Sequence, residues 1–371
     1  MSRPIVITGG GTGGHVFPMQ AVAEQLRDLG VDAERLRFVG SRRGQEATLL
    51  AGGAIPLTLL PGRGLRRSLA WTDLVSNVIA VVGLLGAVGL AVVKVARWRP
   101  SVVVSVGGYA SFAAGFAAVV WRRPLVLVEL DAAPGAAQRA LTHFASWRCT
   151  AFETTDPRST TTGPPLREAI VQVDRSESAR HAARVAAAPP IDDGRAVVVV
   201  MTGSLGSRRV NEVVSQLARS WKDREDRTLI HVTGRRDFTL MEAARPAPGA
   251  LDYRVVAFAD MAQLWSLCDV AVCRSGAITV GELTALGIAA VLVPLPGAPG
   301  DHQVKNAQAV ASAGGATVLR DGDLTEKALG EALDSVLDAD RLRAMSAAAL
   351  TLGRRDAARE IALVVLRVGG S

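Results

Sequence analysis

Aromatic residues are scarce in this 371-residue chain: two Tyr, six Trp and eight Phe amount to 4% of it. With no aromatic signature for base stacking and no zinc-finger spacing, nucleic acid is set aside as a partner even though the net charge is +7. Cysteine is nearly absent too. Cys149, Cys268 and Cys273 are odd in number and form no Cys-x-x-Cys pair. That excludes a disulfide framework and a thiolate zinc site and predicts small buried thiols in a reducing cytosol. The N-terminus lacks a signal-peptide core, since only Ile5-Val6-Ile7 precedes the first glycines; the chain is expected to stay in the cytoplasm.

What is abundant is Ala, Val, Leu and Gly. An apolar fraction of 49% with this composition belongs to an α/β protein whose parallel strands are buried on both faces. The length exceeds one ordinary core and suits two domains. Forty-two Lys and Arg against 35 Asp and Glu favour anionic partners such as nucleotides, diphosphates or an acidic bilayer surface.

Short apolar strands alternate with helical stretches. Residues 4–8 read as a buried strand, 9–14 as a tight loop, and 15–29 as a helix with Val16, Met19, Val22, Ala23 and Leu26 on its apolar face. Strands at 35–39, 101–106 and 124–129 continue a doubly wound pattern. The Thr-, Ser- and Pro-rich stretch 156–165 reads as a linker. A second series opens at 196–201, runs through 228–232, 253–256, 270–273 and 290–294, and ends in an Ala-rich helical tail, 342–368. The expected division is an N-terminal Rossmann-like domain, 1–163, a C-terminal one, 164–345, and a terminal helix, 346–371, packing back on the first.

The apolar run 74–93 is long enough to span a bilayer. A single span would put the loops at 9–14 and 107–109 on opposite sides, although both belong to one sheet domain. A membrane-contacting helix or a core helix is simpler. Arg63, Arg66 and Arg67 before the run, Lys94, Arg97 and Arg99 after it, and Trp71 and Trp98 at its ends suit anionic headgroups and the interface.

The chemistry starts at Gly9-Gly10-Gly11-Thr12-Gly13-Gly14-His15, where the backbone approaches a ligand closely and amides point from a helix start. Gly9, Gly11 and Gly14 also satisfy the dinucleotide pattern, with Arg42 and Arg43 placed for a 2′-phosphate, so an NADP-dependent oxidoreductase competes here. The second half argues otherwise. Gly203-Ser204-Leu205-Gly206 and Ser275 to Glu282 each follow a strand, and two such turns can hold a nucleotide diphosphate, with Glu282 on ribose hydroxyls. A capping box, Thr279-x-x-Glu282, is the structural alternative for that carboxylate.

GGTGGHVFP at 10–18, GGYAS at 107–111, GSLGSRRVNE at 203–212, CRSGAITVGE at 273–282, and Asp301-His302-Gln303 with Asn306 lie in one order along nearly the whole chain. Together they resemble the signature segments of the MurG family. The resemblance implies a GT-B fold, two Rossmann-like parallel-sheet domains facing a cleft. It also implies inverting transfer of N-acetylglucosamine from UDP-N-acetylglucosamine to lipid I, giving lipid II for peptidoglycan synthesis, with no metal and no cofactor. A place on the cytoplasmic face of the cell membrane, beside other cell-wall synthesis proteins, follows from it.

Carried onto matching positions, the resemblance places Gly10, Gly11, Gly107, Gly108 and Tyr109 on acceptor-side loops. It puts Thr12, Gly13, Gly14, Asp131, Arg167, Ser204, Ala259, Ala277, Ile278, Thr279, Val280, Gly281, Glu282, His302 and Gln303 around the donor, with Phe258 bordering uracil. Catalysis is assigned to His15, as base for the attacking hydroxyl, and to Glu129; capping of the helix or orientation of the loop is the structural alternative for His15. The chain departs from the family where Val128-Glu129-Leu130-Asp131 replaces His-Glu-Gln-Asn and Gly163-Pro164-Pro165-Leu166-Arg167 replaces Gly-Asn-Pro-Val-Arg. An acidic Asp131 accepts hydroxyl protons but cannot donate an amide hydrogen, and it could share the base role with His15. A related GT-B transferase or an epimerase with another acceptor is the neighbouring reading.

Overall fold

The computed structural model describes residues 3–11, 13–61, 71–203 and 206–370, and side chains from Ala80 onward in the long second helix. Thr12, Arg63, Arg66, Arg67, Ser204, Leu205 and the side chain of Trp71, all singled out above, lie outside what is described. Two compact units form, one of 1–167 with 355–371 and one of 168–354.

The first unit is a parallel sheet of β1 (Ile5–Gly9), β2 (Leu36–Ser41), β3 (Leu57–Leu60), β4 (Val102–Gly107), β5 (Leu125–Glu129), β6 (Trp147–Thr150) and β7 (Ser159–Thr161), in the order β3-β2-β1-β4-β5-β6-β7. Strands β1, β4 and β5 are Val-, Ile- and Leu-rich and buried throughout, as strands covered on both faces must be. Between them lie α1 (Gly13–Asp28), α2 (Trp71–Trp98), α3 (Tyr109–Val120) and α4 (Ala136–Leu141). Along α2 the buried residues Ala80, Ala87, Ala91 and Val95 form one helical stripe, of which Ala87, Ala91 and Val95 join Ala113, Ala114 and Ala117 of α3 in the core. Val81, Val82, Leu85 and Val93 stay exposed on its other side. The helix is therefore a half-buried member of this unit, and neither a free span nor a wholly enclosed core helix. Among the described residues it is also the one helix long and apolar enough to cross a membrane.

The second unit repeats the plan with β8 (Ala196–Met201), β9 (Arg227–Val232), β10 (Asp252–Val256), β11 (Val270–Cys273), β12 (Ala289–Leu292) and β13 (Ala316–Val318), in the parallel order β10-β9-β8-β11-β12-β13. Its helices include α5 (Arg208–Ser220), α6 (Met261–Leu267), α7 (Ala277–Leu286), α8 (His302–Ser312) and α9 (Ala339–Leu352). The last helix, α10 (Ala357–Gly369), belongs to the first unit and packs on α1.

Three differences from the sequence reading have physical causes. Strands β3, β6, β7 and β13 went unread because they sit toward the sheet edges, where short, half-exposed and partly polar segments carry little apolar signal; β7 falls inside the expected linker. The tail at 342–368 is two helices, broken where Gly353 lies so close to α7 that a Cβ there would stand 2.6 Å from Thr284 O. The first unit extends to Arg167, since the Gly163 N–H donates to Thr150 O, Leu166 is buried and Arg167 stacks over Phe17.

Candidate functional site

Each sheet has one place where its strand order reverses: between β1 and β4 in the first unit, between β8 and β11 in the second. Ligands of doubly wound sheets bind outside the carboxyl ends of the strands at such points. The glycine loops of the sequence fall there.

In the first unit the loops after β1 and β4 are joined backbone to backbone. The Gly10 N–H donates to Gly107 O at 3.1 Å, and a Cβ on Gly108, whose φ is +87°, would stand 2.0 Å from Gly10 O. Only glycine fits such an approach. Ser111 ties the pair together: its hydroxyl lies 2.9 Å from Thr8 O and 2.7 Å from Gly107 O and accepts from the Gly107 N–H at 3.0 Å. The His15 ring, in the first turn of α1, rests against this junction, with Nε2 only 3.1 Å from where a Gly107 Cβ would be. The Tyr109 hydroxyl, its pKa raised by burial, donates to Pro61 O at 3.2 Å. Gly11 and Gly14 are exposed and Gly13 is half-buried.

Glu129, expected to be catalytic, has another occupation. At the end of β5 it is 5% exposed and accepts two hydrogen bonds from Arg148, Nε to Oε1 at 2.9 Å and Nη2 to Oε2 at 2.7 Å. These bonds raise the guanidinium pKa further, Glu129 first among the causes. A carboxylate held at both oxygens is placed to orient the β5 terminus; it is poorly placed to shuttle protons. Asp131 follows two residues later, half-buried. Arg167, expected near the diphosphate, stands in the first unit with its guanidinium 4.3 Å from the Phe17 ring centre.

In the second unit the β8 and β11 loops are likewise braced. Arg274 donates to Ser207 Oγ at 2.8 Å and to Val293 O and Pro294 O at 3.2 Å, and pairs with Asp321 at 2.6 Å. Gly276 is the N-cap of α7 and makes no side-chain cap, so the first amides of Ala277, Ile278 and Thr279 emerge as an anion-favouring helix start. Because α7 begins at Ala277, Thr279 is inside the helix and the capping-box alternative for Glu282 fails. Glu282 accepts instead from Trp265 Nε1 at 2.8 Å. Alongside, the Ser275 hydroxyl donates to Gln303 O at 2.7 Å, Asn306 Nδ2 donates to Ser275 O at 3.1 Å, and Gln303 Oε1 accepts from the Leu295 N–H at 3.0 Å. His302 and Gln303 thus open α8 beside the α7 loop, with Val280 and Gly281 buried within α7. Phe258 is exposed, with Arg235 above its ring, and Ala259 is half-buried just before α6.

Some site residues escaped the sequence reading. Glu46 is wholly buried and accepts from the Gly11 N–H at 2.8 Å and the Ser41 N–H at 3.2 Å, so it shapes the first glycine loop from 35 residues away. Its one trace in the sequence is the turn ahead of it, bounded by Gly40 and Gly44. Gln138 donates to Ser105 O and Val128 O, bracing β4 against β5, and nothing in its neighbours announces it. The three cysteines are buried free thiols, with Cys149 pushed up to about 12 and Cys268 to about 11 by burial.

Comparison with known proteins adds a family to this geometry. Residues 5–149 match the glycosyltransferase family 28 N-terminal domain and residues 197–361 its C-terminal domain. An Alkalilimnicola ehrlichii protein is 36% identical over 374 residues, covering 99% of both chains; a Cupriavidus necator protein is 34% identical over 360 residues, covering 97% of this chain and 96% of its own. Both carry the name UDP-N-acetylglucosamine--N-acetylmuramyl-(pentapeptide) pyrophosphoryl-undecaprenol N-acetylglucosamine transferase. The crystal structure of Acinetobacter baumannii MurG is similar with a TM-score of 0.76 at 27% identity, covering 99% of this chain and all of that one.

Proposed function

The chain belongs to glycosyltransferase family 28 and, within it, to the MurG family, and from that membership we propose that it is a GT-B hexosyltransferase that moves N-acetylglucosamine from its UDP conjugate onto lipid I, producing lipid II. The observation that carries the assignment to this chain's own residues is the donor-side constellation of the second unit. There the bare helix start at Ala277 to Thr279, a carboxylate one turn inside at Glu282, and Gln303 meet at a strand-order reversal.

In this reading the α7 amides, with the loop after β8, receive the diphosphate. Their partial positive charge stabilises the negative charge that grows on departing UDP. Glu282 accepts from ribose hydroxyls, Ala259 and Phe258 border the uracil, and His302 and Gln303 lie toward the sugar. The joined loops of the first unit receive lipid I. Its sugar hydroxyl attacks the anomeric carbon from the face opposite UDP, so configuration inverts. His15 takes the hydroxyl proton, a step worth 10²–10⁴-fold as an order of magnitude. Glu129 positions the β5 terminus that carries Asp131.

The exposed apolar side of α2, with Trp121 donating to Val92 O beside it and Lys94, Arg97 and Arg99 at its end, is proposed as the peripheral contact with an anionic membrane. Association with other cell-wall synthesis proteins on that membrane is part of the same proposal, because the acceptor is itself made there. The oxidoreductase and epimerase alternatives lose their support with the family assignment.

The test is transfer of radiolabelled N-acetylglucosamine to a short-chain lipid I analogue by the wild type, Glu282→Ala and His15→Ala. Product from the wild type and its suppression in Glu282→Ala support the donor site, and a kcat loss in His15→Ala supports the base. Donor breakdown without acceptor would overturn the reading.

A further inference from the structure

We propose that Trp265 is a positioning residue for donor recognition: its indole N–H fixes the Glu282 carboxylate in the orientation that accepts hydrogen bonds from the ribose hydroxyls of the nucleotide. The inference rests on the donor-site reading above and deepens it.

Trp265 sits in the middle of α6 with no exposed surface, and its Nε1 donates to Glu282 Oε2, across to α7, at 2.8 Å. An indole N–H can only donate, so it matches an ionised carboxylate and leaves that group to act as acceptor. Glu282 is itself 5% exposed. A carboxylate this far from water needs such a donor to stay charged and to hold one rotamer.

The indole in turn is anchored through its helix. Asp260 caps the start of α6, accepting from the Ala262 and Gln263 N–H groups at 2.8 and 3.3 Å. Arg175 closes its end, donating to the carbonyls of Trp265 and of Cys268, the latter at 2.9 Å. A cation at the carbonyl end of a helix is favourable, and here it pins the backbone of the tryptophan itself. Phe258 and Ala259, on the uracil side of the same reading, lead directly into this clamped helix. One element therefore sets both the base contact and the ribose carboxylate. A tryptophan present only to fill the core would also need a partner for its N–H, yet α6 contributes the ring at the one buried carboxylate that the nucleotide uses.

The experiment is calorimetric binding of UDP and of 2′,3′-dideoxy-UDP to the full chain, for the wild type, Trp265→Phe and Glu282→Ala. A further variant carries benzothienylalanine at position 265, which keeps the shape of the ring and replaces its N–H by sulfur, so that folding is preserved even if the phenylalanine variant collapses. Loss of a charge-assisted bond predicts about tenfold weaker UDP binding in both position-265 variants, with dideoxy-UDP binding unchanged. Equal weakening of the two nucleotides, or undiminished UDP binding, overturns the positioning role and leaves a packing tryptophan. If Glu282→Ala weakens both nucleotides alike, the ribose assignment of Glu282 itself fails, a result distinct from the other two.

Discussion

Arg148 donates to both oxygens of Glu129 and reaches Asp156 with its remaining nitrogen at 2.8 Å, so one guanidinium on β6 organises the end of β5 and the turn before β7. The Asp156 carboxyl is held below its ordinary range, by the Arg158 backbone N–H first and by Arg148 next. Removing the cation strands a buried carboxylate. Arg148→Met is expected to cost about 3–5 kcal/mol, read as a lower denaturation midpoint at unchanged m-value. Glu129→Gln should keep the pH dependence of kcat, because the proposed base is His15. Loss of a titrating limb in that variant would restore Glu129 to a proton-transfer role.

The glycine junction gives a matched pair of substitutions. At Gly108 an added Cβ meets Gly10 O at 2.0 Å, whereas at Gly11, also at positive φ (+107°), it meets nothing within 4 Å. Gly11→Ala carries only backbone strain, about 1–2 kcal/mol, while Gly108→Ala must also part the two loops. Acceptor KM and thermal stability should therefore suffer far more in Gly108→Ala. Equal effects would mean that the close approach does not matter to acceptor binding.

The central strands of both sheets were legible in the sequence because burial on both faces writes itself as unbroken Val and Ile runs, and the glycine loops because positive φ leaves few other residues. Glu282 was legible as a motif member. Its real partner, Trp265, was not, since 17 residues and a strand separate them. Glu46 and Arg148 were missed for the same reason: a lone charged residue in sequence looks like solvated surface, and only the packed fold brings it to a buried partner. The role offered for Glu129 followed from motif position alone, and its pairing with Arg148 was not legible there.

His231 supplies a pH dependence of stability unconnected with catalysis. It is fully buried; Asn211 Nδ2 donates to Thr233 O and Asp237 Oδ2, so Asn211 Oδ1 accepts from His231 Nε2 at 3.0 Å, and the Tyr253 hydroxyl donates to Nδ1 at 2.9 Å. The ring is neutral, with its pKa lowered by burial from 6.5 to about 4. Above pH 6.5 neither state binds the proton; below it the unfolded chain does and the folded one refuses, so stability falls as pH drops from 6.5 toward 4. The loss is on the order of 3 kcal/mol. His231→Gln, which can still donate and accept, should flatten the denaturation midpoint across that window; an unchanged slope would assign the acid sensitivity to other groups.

The exposed side of α2 makes a prediction that separates attachment from chemistry. Val82 and Leu85 are 64% and 67% exposed, on the side of the helix away from the alanine stripe that packs on α3. Each such side chain contributes roughly 1.5–3 kcal/mol when removed from water, so aspartate at both positions should lower sedimentation with anionic vesicles by at least about tenfold. The fold should tolerate the pair, since neither side chain enters the core. Transfer to a water-soluble acceptor analogue should then proceed at the wild-type rate, while transfer to vesicle-borne lipid I falls with the loss of attachment. Undiminished sedimentation of the double variant would move the membrane contact away from this face.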